Sequence, residues 1–160
     1  MSAIEIRQAG HDDVERLHFA LERLSQELGD LHATGPDDLL RHGFRDPPAF
    51  FALIATRQAE TVGAVLASPL FSTTRGGAGL YVSDLWVAKT VRGAGLGKRL
   101  LAAVADHAPR HWNVTFVKLA VYHDSADARR FYQRLGFEPR EGETVLDLQG
   151  PALTNLRTCS

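Results

Sequence analysis

The chain contains 160 residues, the size of one ordinary domain of roughly 100 to 200 residues. Apolar residues make up 44% of it and charged residues 23%, as in soluble globular proteins, so global disorder is excluded. Lys and Arg number 18 against 19 Asp and Glu. The net charge of −1 provides no basic field for a phosphate backbone, and nucleic acid is not an expected partner.

Cysteine usage and the N-terminal segment predict a cytoplasmic protein with no membrane partner. Cys159 is the sole cysteine, so an intramolecular disulfide is excluded, and residues from about 151 to 160 are expected to form a C-terminal tail. The first twenty residues lack the basic start and apolar centre of a signal peptide, and no apolar run approaches 18 residues. We therefore expect one domain over residues 1–160.

Residues 3–44 predict a strand and two helices. Alternation over Ala3–Ala9 predicts the strand, and Asp12 is a candidate helix N-cap. Apolar residues at three- and four-residue steps then predict a helix that ends near Gly29. A shorter helix is expected from Pro36, because proline is tolerated in a first helical turn.

The remaining chain predicts a meander of strands and then alternating elements. Three apolar runs are expected to be antiparallel strands: Ala49–Thr56, Thr61–Leu70 and Gly79–Ala88. A helix is expected from Leu96 to before Pro109, a strand over Val114–Tyr122 and a helix over Ala126–Leu135. Gly136–Leu148 predicts two further short strands.

The predicted order is β-α-α-β-β-β-α-β-α-β-β. A strand meander followed by a crossover helix favours the α/β (α+β) class, with one mixed, mostly antiparallel sheet of about seven strands. Helices are expected on both faces of that sheet.

A glycine-rich turn lies between a predicted buried strand and a predicted helix. The segment KTVRGAGLGKRLL, Lys89–Leu101, contains Gly93, Gly95 and Gly97. Glycines let the backbone N–H groups at a helix N-terminus approach an anion closely, and the helix dipole favours negative charge there. The turn therefore predicts a pyrophosphate site.

Two known phosphate loops do not fit this turn. A Walker A loop starts with Gly and ends in Lys-Ser/Thr, but Arg92 and Arg99 stand at the first and last of these positions. A dinucleotide fingerprint is GxGxxG, whereas this chain has GxGxG.

Two motifs resemble those of the GNAT superfamily of N-acetyltransferases. Arg-x-x-Gly-x-Gly over Arg92–Gly97 resembles the acetyl-coenzyme A (acetyl-CoA) loop. The signature A-x-x-F-Y-x-x-x-G-F is similar to that of the last crossover helix, and is carried by Ala128, Phe131, Tyr132, Gly136 and Phe137. The resemblance covers essentially the whole chain, which looks most similar to the diamine and polyamine acetyltransferase branch.

The resemblance implies a cofactor site for acetyl-CoA as co-substrate. The loop residues implied to hold the pyrophosphate are Arg92, Gly93, Ala94, Gly95, Leu96, Gly97 and Lys98. The preceding strand is implied to splay from its neighbour and bind the pantetheine arm and thioester carbonyl through Leu85, Trp86 and Val87. Phe131 and Ser125 complete the set, although Ser125 stands where an Asn is common, so its contact with the cofactor arm is weaker or differently made.

Tyr132 falls where many superfamily members place a tyrosine beside the thioester sulfur. A tyrosine of pKa about 10 stays protonated at neutral pH and can protonate a departing thiolate of pKa about 8.5. The resemblance therefore implies that Tyr132 is the general acid. The alternative is that Phe131 and Tyr132 are core aromatics of an amphipathic helix.

Asp84 interrupts an otherwise apolar run, LYVSDLWV. A carboxylate in a buried strand needs a partner or a function, so Asp84 is the candidate that binds or deprotonates the substrate ammonium, directly or through water. The alternative is an ion pair with a helix residue. Related diamine enzymes often have two adjacent acids where this chain has Ser83 and Asp84. His123 and water remain alternative bases.

Seven histidines raise the question of a metal, above all His107 and His111. Pro109 lies between these two, so they cannot share a regular helical face, and no metal is expected.

The sequence thus predicts an N-acetyltransferase that moves acetyl from acetyl-CoA to a primary amine of a small molecule by direct attack in a ternary complex. The alternatives are an acetyltransferase of protein N-termini or lysines, and a non-catalytic acyl-CoA binding module. A homodimer is also predicted, because the branch commonly pairs through C-terminal strands and the apolar stretch TVLDL could lie at a sheet edge.

Overall fold

The computed structural model describes residues 2–159. Its contacts divide the chain into two compact units, one that ends at Tyr122 and one that begins at His123. The first unit contains a mixed sheet with helices on both faces, and the second contains helices. Within residues 2–159, no helix is both long and apolar enough to cross a bilayer.

The described part of the first unit contains one five-stranded sheet in the order β1-β2-β3-β4-β5. Its strands are β1 (Glu5–Gln8), β2 (Phe51–Arg57), β3 (Glu60–Ser72), β4 (Gly77–Val87) and β5 (Phe116–Lys118). Strands β1 to β4 pair with one another in antiparallel fashion, whereas β5 is parallel to β4. The centres of β2 and β3 are continuous buried apolar runs because helices cover both of their faces.

The helices of the first unit are α1 (Val14–Leu28), α2 (Pro36–Gly43) and α3 (Leu96–His107), with short 3₁₀ turns at His11–Asp13, Lys89–Val91 and Arg110–Trp112. On one face of the sheet, Leu17 of α1 and Leu39 of α2 are buried in one cluster with Ile54 of β2. On the other face, a Cβ at Gly63 would lie 3.0 Å from the Leu100 side chain. Gly63 therefore permits the close approach of α3 to β3.

The start of α1 differs by one residue from the sequence prediction. Its N-cap is Asp13 and not Asp12, because a 3₁₀ turn precedes the helix. The Asp13 carboxylate accepts hydrogen bonds from the Gly10 backbone N–H at 2.8 Å and from the Arg7 guanidinium at 2.6 and 2.7 Å. The hydrogen bonds from Arg7 are the main reason why the pKa of Asp13 lies below its usual range.

The second unit contains α4 (Ala126–Arg134) and α5 (Gly150–Arg157). The prediction of two strands over Gly136–Leu148 is wrong, since the described residues form no strand there and the sheet has five strands, not about seven. The predicted order is also wrong at its end, where two helices follow β5. Most of the expected C-terminal tail forms α5.

The missing strands have a physical reason. A short apolar segment becomes a strand only when a neighbour pairs with it and covers its side chains. The side chains of Val145 and Leu146 are instead 83% and 87% exposed. The edge strand on which the homodimer prediction rested is therefore absent from the described chain.

Candidate active site

The glycine loop adopts a backbone that other residues would adopt only with strain. Gly93 and Gly95 have φ of +82° and +79°, in the left-handed region that costs other residues about 1 to 2 kcal/mol. A Cβ at either position would meet nothing within 4 Å. The loop thus offers open backbone, and Gly95 is the N-cap of α3.

Charge at the N-terminus of α3 is reversed relative to the other helices of the first unit. The first turns of α1 and α2 carry acids, whereas α3 has no acid there and carries Lys98 and Arg99. A helix N-terminus already bears partial positive charge and unpaired N–H groups. Arg99 donates its Nη2 to Ile4 O at 2.9 Å, so Lys98 is the residue that makes this end of α3 suited to an anion such as pyrophosphate.

The strand before the loop has one open edge. β4 pairs with β3 along its whole length, but with β5 only over Gly79–Tyr81. A β-bulge follows, at which Ser83 is the additional residue, since Leu66 pairs with Asp84 and Ala67 with Val82. From the bulge to Val87, no described strand pairs with this edge of β4.

The backbone of β4 alternates between its two edges. Ala88 donates its N–H to Val62 O at 2.9 Å, and hydrogen-bonded pairs alternate along an antiparallel ladder. Asp84 and Trp86 therefore bond to β3, while the N–H and C=O groups of Leu85 and Val87 face the open edge. Of the three strand residues implied by the resemblance, Trp86 is different: its indole is buried and packs on Phe19 of α1.

The bulge also decides which face of the sheet carries Asp84. Paired residues point to the same face, so Asp84 shares a face with Leu66, whereas Val82 shares the opposite face with Ala67. In a regular strand without the bulge, Asp84 would share the face of Val82, which is the α3 side. With it, the carboxylate lies on the α1 and α2 side.

On that side, Asp84 lines a cavity of about 510 Å³ under α1, α2 and their connection. The other polar residues of its wall are Ser25, His32, Thr34, Asp38 and His42. Burial raises the pKa of the Asp84 carboxyl, and a hydrogen bond from Ser83 and the charge of His32 oppose that shift in part. Within the described chain Asp84 has no ion-pair partner, unlike Asp38, which pairs with Arg41.

His32 is a cavity residue that sequence reasoning missed. Its Nδ1 lies 2.9 Å from Ser25 Oγ, and its Nε2 is buried with no hydrogen-bond partner among the described residues. His32 follows a glycine-ended helix in a loop, and nothing in the local sequence distinguishes it from a surface histidine.

Arg92 lies at the start of the loop but points to protein groups. Its Nη2 donates to Glu27 Oε2 of α1 at 2.5 Å, and its Nε donates to Val87 O at 2.9 Å. Glu27 Oε1 also accepts a hydrogen bond from Trp86 Nε1 at 3.3 Å. Glu27 was not found from the sequence because it lies far from the motif along the chain.

In the second unit, the end of α4 explains the F-Y-x-x-x-G-F pattern. Gly136 has φ of +97°, its N–H donates to Gln133 O, and the Phe137 N–H donates to Tyr132 O, both at 3.0 Å. These bonds form a Schellman motif, and the Phe137 ring packs on Tyr132 with 5.5 Å between centroids. Burial raises the pKa of Tyr132, and its hydroxyl makes no hydrogen bond within the described residues.

The structure gives less support to the remaining candidate residues. Ser125 is the N-cap of α4 but its hydroxyl makes no capping bond. His123 is exposed, and its carbonyl accepts a bond from Arg129 at 3.3 Å. His107 packs against Phe51 with 5.4 Å between ring centroids. Between residues 2 and 159, no three His, Cys, Asp or Glu side chains lie together so that they could hold a metal ion.

Comparison with known proteins gives the class of the chain. Residues 17–137 match the acetyltransferase (GNAT) family. N-alpha-acetyltransferase 40 of Saccharomyces cerevisiae is 41% identical in a match over 64 residues that covers 36% of this chain and 22% of that protein. The matched region thus spans about a fifth of that relative.

Solved structures share the fold over nearly the whole chain. The integron cassette protein VCH_CASS6 of V. cholerae has a TM-score of 0.78 at 20% identity and 99% coverage of both chains. The aminoglycoside N-acetyltransferase AAC(6')-Iy, in complex with CoA, has a TM-score of 0.70 at 19% identity, covering 94% of this chain and 97% of that one.

The chain belongs to the acetyltransferase (GNAT) family, the acetyl-CoA-dependent N-acetyltransferases. The open glycine loop before the cationic start of α3 has the geometry and charge that fit a diphosphate.

The loop can be tested with a pair of glycine variants. Gly95→Val places a branched side chain where the anion must approach the backbone, and the Kd for CoA should rise about tenfold or more, since a hydrogen bond to a charged group contributes about 1.5 to 3 kcal/mol. Gly76→Val is the control, because Gly76 has φ of +68°, equally open surroundings and a place at the far end of β4.

Calorimetric titration with CoA and thermal melting should be measured on both variants. Both should lose similar stability from backbone strain, whereas only Gly95→Val should lose CoA affinity. Equal CoA affinity in the two variants would show that the anion binds elsewhere.

Proposed function

We propose that this enzyme transfers acetyl from acetyl-CoA to a primary amine of a small molecule, by direct attack in a ternary complex. The observation that carries the proposal is Asp84. It is a carboxylate without an ion-pair partner in the described chain, it lines a cavity of about 510 Å³, and it precedes the open edge of β4 by one residue. The cavity gives a small cation access to this carboxylate.

The proposed cofactor contacts follow the open backbone. The N–H groups from Gly93 to Lys98 bind the diphosphate, and the N–H and C=O groups of Leu85 together with the N–H of Val87 bind the pantetheine arm. Acetyl-CoA supplies an activated acyl group as a thioester. An N–H of the open edge can donate to the acetyl oxygen as negative charge develops there, a contribution of about 3 kcal/mol to lowering the barrier.

Asp84 acts on the amine in two steps. A primary amine arrives as an ammonium ion, which the carboxylate binds because it forms no ion pair within the described chain. The ammonium must then lose a proton before its nitrogen can attack. The raised pKa of Asp84 makes the carboxylate a better proton acceptor, directly or through water.

Tyr132 is the proposed acid. A thiolate with a pKa of about 8.5 leaves more easily when it collects a proton. Burial raises the pKa of Tyr132, so its hydroxyl stays protonated at neutral pH, and no hydrogen bond within the described chain holds that hydroxyl elsewhere.

A protein acceptor is the second candidate, because the yeast relative that matches part of this chain is an N-alpha-acetyltransferase. The two candidates differ in the space that they need. A peptide requires a groove open at both ends, whereas the Asp84 cavity lies under the α1–α2 connection.

The deciding experiment measures release of the CoA thiol with alkylamines, amino acids, aminoglycosides and peptides that have free N-termini. We expect a raised Tm with acetyl-CoA and the highest kcat/KM with a small amine. A preference for peptides would establish the second candidate. Tight CoA binding with no turnover of any acceptor would indicate a non-catalytic module, and no CoA-dependent change in Tm at millimolar concentration would contradict the cofactor assignment.

Asp84→Asn tests the base and should have opposite effects on activity and stability. Asparagine cannot accept the proton, so kcat/KM should fall about 10²- to 10⁴-fold. The folded state raises the pKa of Asp84, so its contribution to stability is lost as pH rises through that pKa. Tm of the variant should therefore exceed that of the wild type at pH 7.5, and the gain should shrink toward pH 4.

Asp106→Asn, an exposed acid of α3, is the matched control and should change neither quantity. Wild-type kcat/KM should also fall as the pH drops through the pKa of Asp84. An Asp84→Asn enzyme with full activity would remove the residue from the mechanism.

Tyr132→Phe tests the acid while the ring keeps its packing on Phe137. General acid catalysis supplies about 10²- to 10⁴-fold, so kcat should fall by that factor with KM for acetyl-CoA nearly unchanged. Tm should stay the same because the hydroxyl makes no hydrogen bond within the described residues. Tyr122→Phe, which removes a hydroxyl bonded to Asp30 at 2.8 Å, is the control. Turnover of Tyr132→Phe within about threefold of wild type would leave thiolate protonation to water.

A further inference from the structure

We propose that Glu27 is a positioning residue for acetyl-CoA. It holds the Arg92 side chain against the end of β4, and the two residues together fix the backbone of the loop that receives the diphosphate. The proposal rests on the acetyl-CoA dependence of the family and is independent of the acceptor.

Three elements meet at this carboxylate. Glu27 lies in the last turn of α1, and its two oxygens bind different groups: Oε2 accepts from Arg92 Nη2 at 2.5 Å, and Oε1 accepts from Trp86 Nε1 at 3.3 Å. Arg92 in turn donates its Nε to Val87 O at 2.9 Å. One side chain thus connects α1, the end of β4 and the first residue of the glycine loop.

The contact to Val87 explains why the arrangement matters for the cofactor. Val87 O faces the open edge of β4, where no described strand supplies a donor. A backbone carbonyl needs a partner, and the Arg92 guanidinium provides it. The hydrogen bond between Arg92 and Val87 joins the two ends of the segment that connects β4 to Gly93. The position of the loop therefore depends on Arg92 keeping this conformation.

The pair is poorly explained as a device for overall stability. The Arg92 side chain is 47% exposed and that of Glu27 27% exposed, and ion pairs so accessible to water contribute little to folding. The geometry also separates Arg92 from the role of a free cation, because Nε and Nη2 are both committed to protein oxygens. Lys98, exposed in the first turn of α3, makes no hydrogen bond or ion pair to a described side chain and suits the phosphate better.

The experiment is a double-mutant cycle with Glu27→Gln, Arg92→Gln and the combined variant, read out as the Kd for CoA by calorimetry. A positioning pair should give about the same loss in all three variants, roughly fivefold or more, because residues that act through one contact are not additive. Glu15→Gln, an exposed acid of the same helix, should bind CoA like the wild type. Melting curves should confirm that every variant is folded.

A direct phosphate contact by Arg92 predicts the opposite result for Glu27. If Glu27 merely competed for the guanidinium, Glu27→Gln would tighten CoA binding, and Arg92→Gln would reduce the salt dependence of Kd. Tighter binding by Glu27→Gln, additive effects in the cycle, or wild-type affinity in Glu27→Gln would each overturn the proposal. Absence of CoA binding by the wild-type protein would instead refute the cofactor assignment, and the positioning role with it.

Discussion

Strand β4 imposes the constraint on which the site depends, because its two edges have different partners. One edge is bonded to β3 from Gly77 to Val87, which fixes the position of every residue in the strand. The other edge is bonded to β5 only over Gly79–Tyr81. At this contact the Phe116 ring lies over Gly79, where a Cβ would be 2.5 Å from a ring atom. Beyond this point the edge faces no described strand, so the backbone groups of Leu85 and the N–H of Val87 have no strand partner there.

The bulge at Ser83 sets which face of the sheet carries the Asp84 side chain. It shifts the register by one residue, so that Asp84 points under α1 and α2 instead of into the α3 core. The backbone of the next residue, Leu85, faces the open edge. The carboxylate proposed to bind the amine and the backbone groups proposed to bind the thioester thus belong to consecutive residues.

Local features of this structure could be predicted from the sequence, and long-range ones could not. The glycines at 93, 95 and 136 are required by positive φ within a single turn, so their spacing alone indicates a loop and a helix end. Glu27 contacts Arg92 across 65 positions of the chain, and no local pattern specifies that pair. The strand prediction for the TVLDL stretch is wrong for the same reason. Alternation of apolar residues predicts a strand but does not show whether a neighbouring strand exists to pair with it.

The net charge of the chain and the local charge at α3 differ in the same way. A net charge of −1 over 160 residues excludes a general affinity for polyanions, yet the first turn of α3 carries two cations and no acid. The two statements agree because fields between exposed charges decay over about 8 Å at physiological ionic strength. An anion therefore responds to the residues within one helical turn and not to the total charge. A nearly neutral chain can bind one diphosphate at a chosen point without attracting long phosphate backbones elsewhere on its surface.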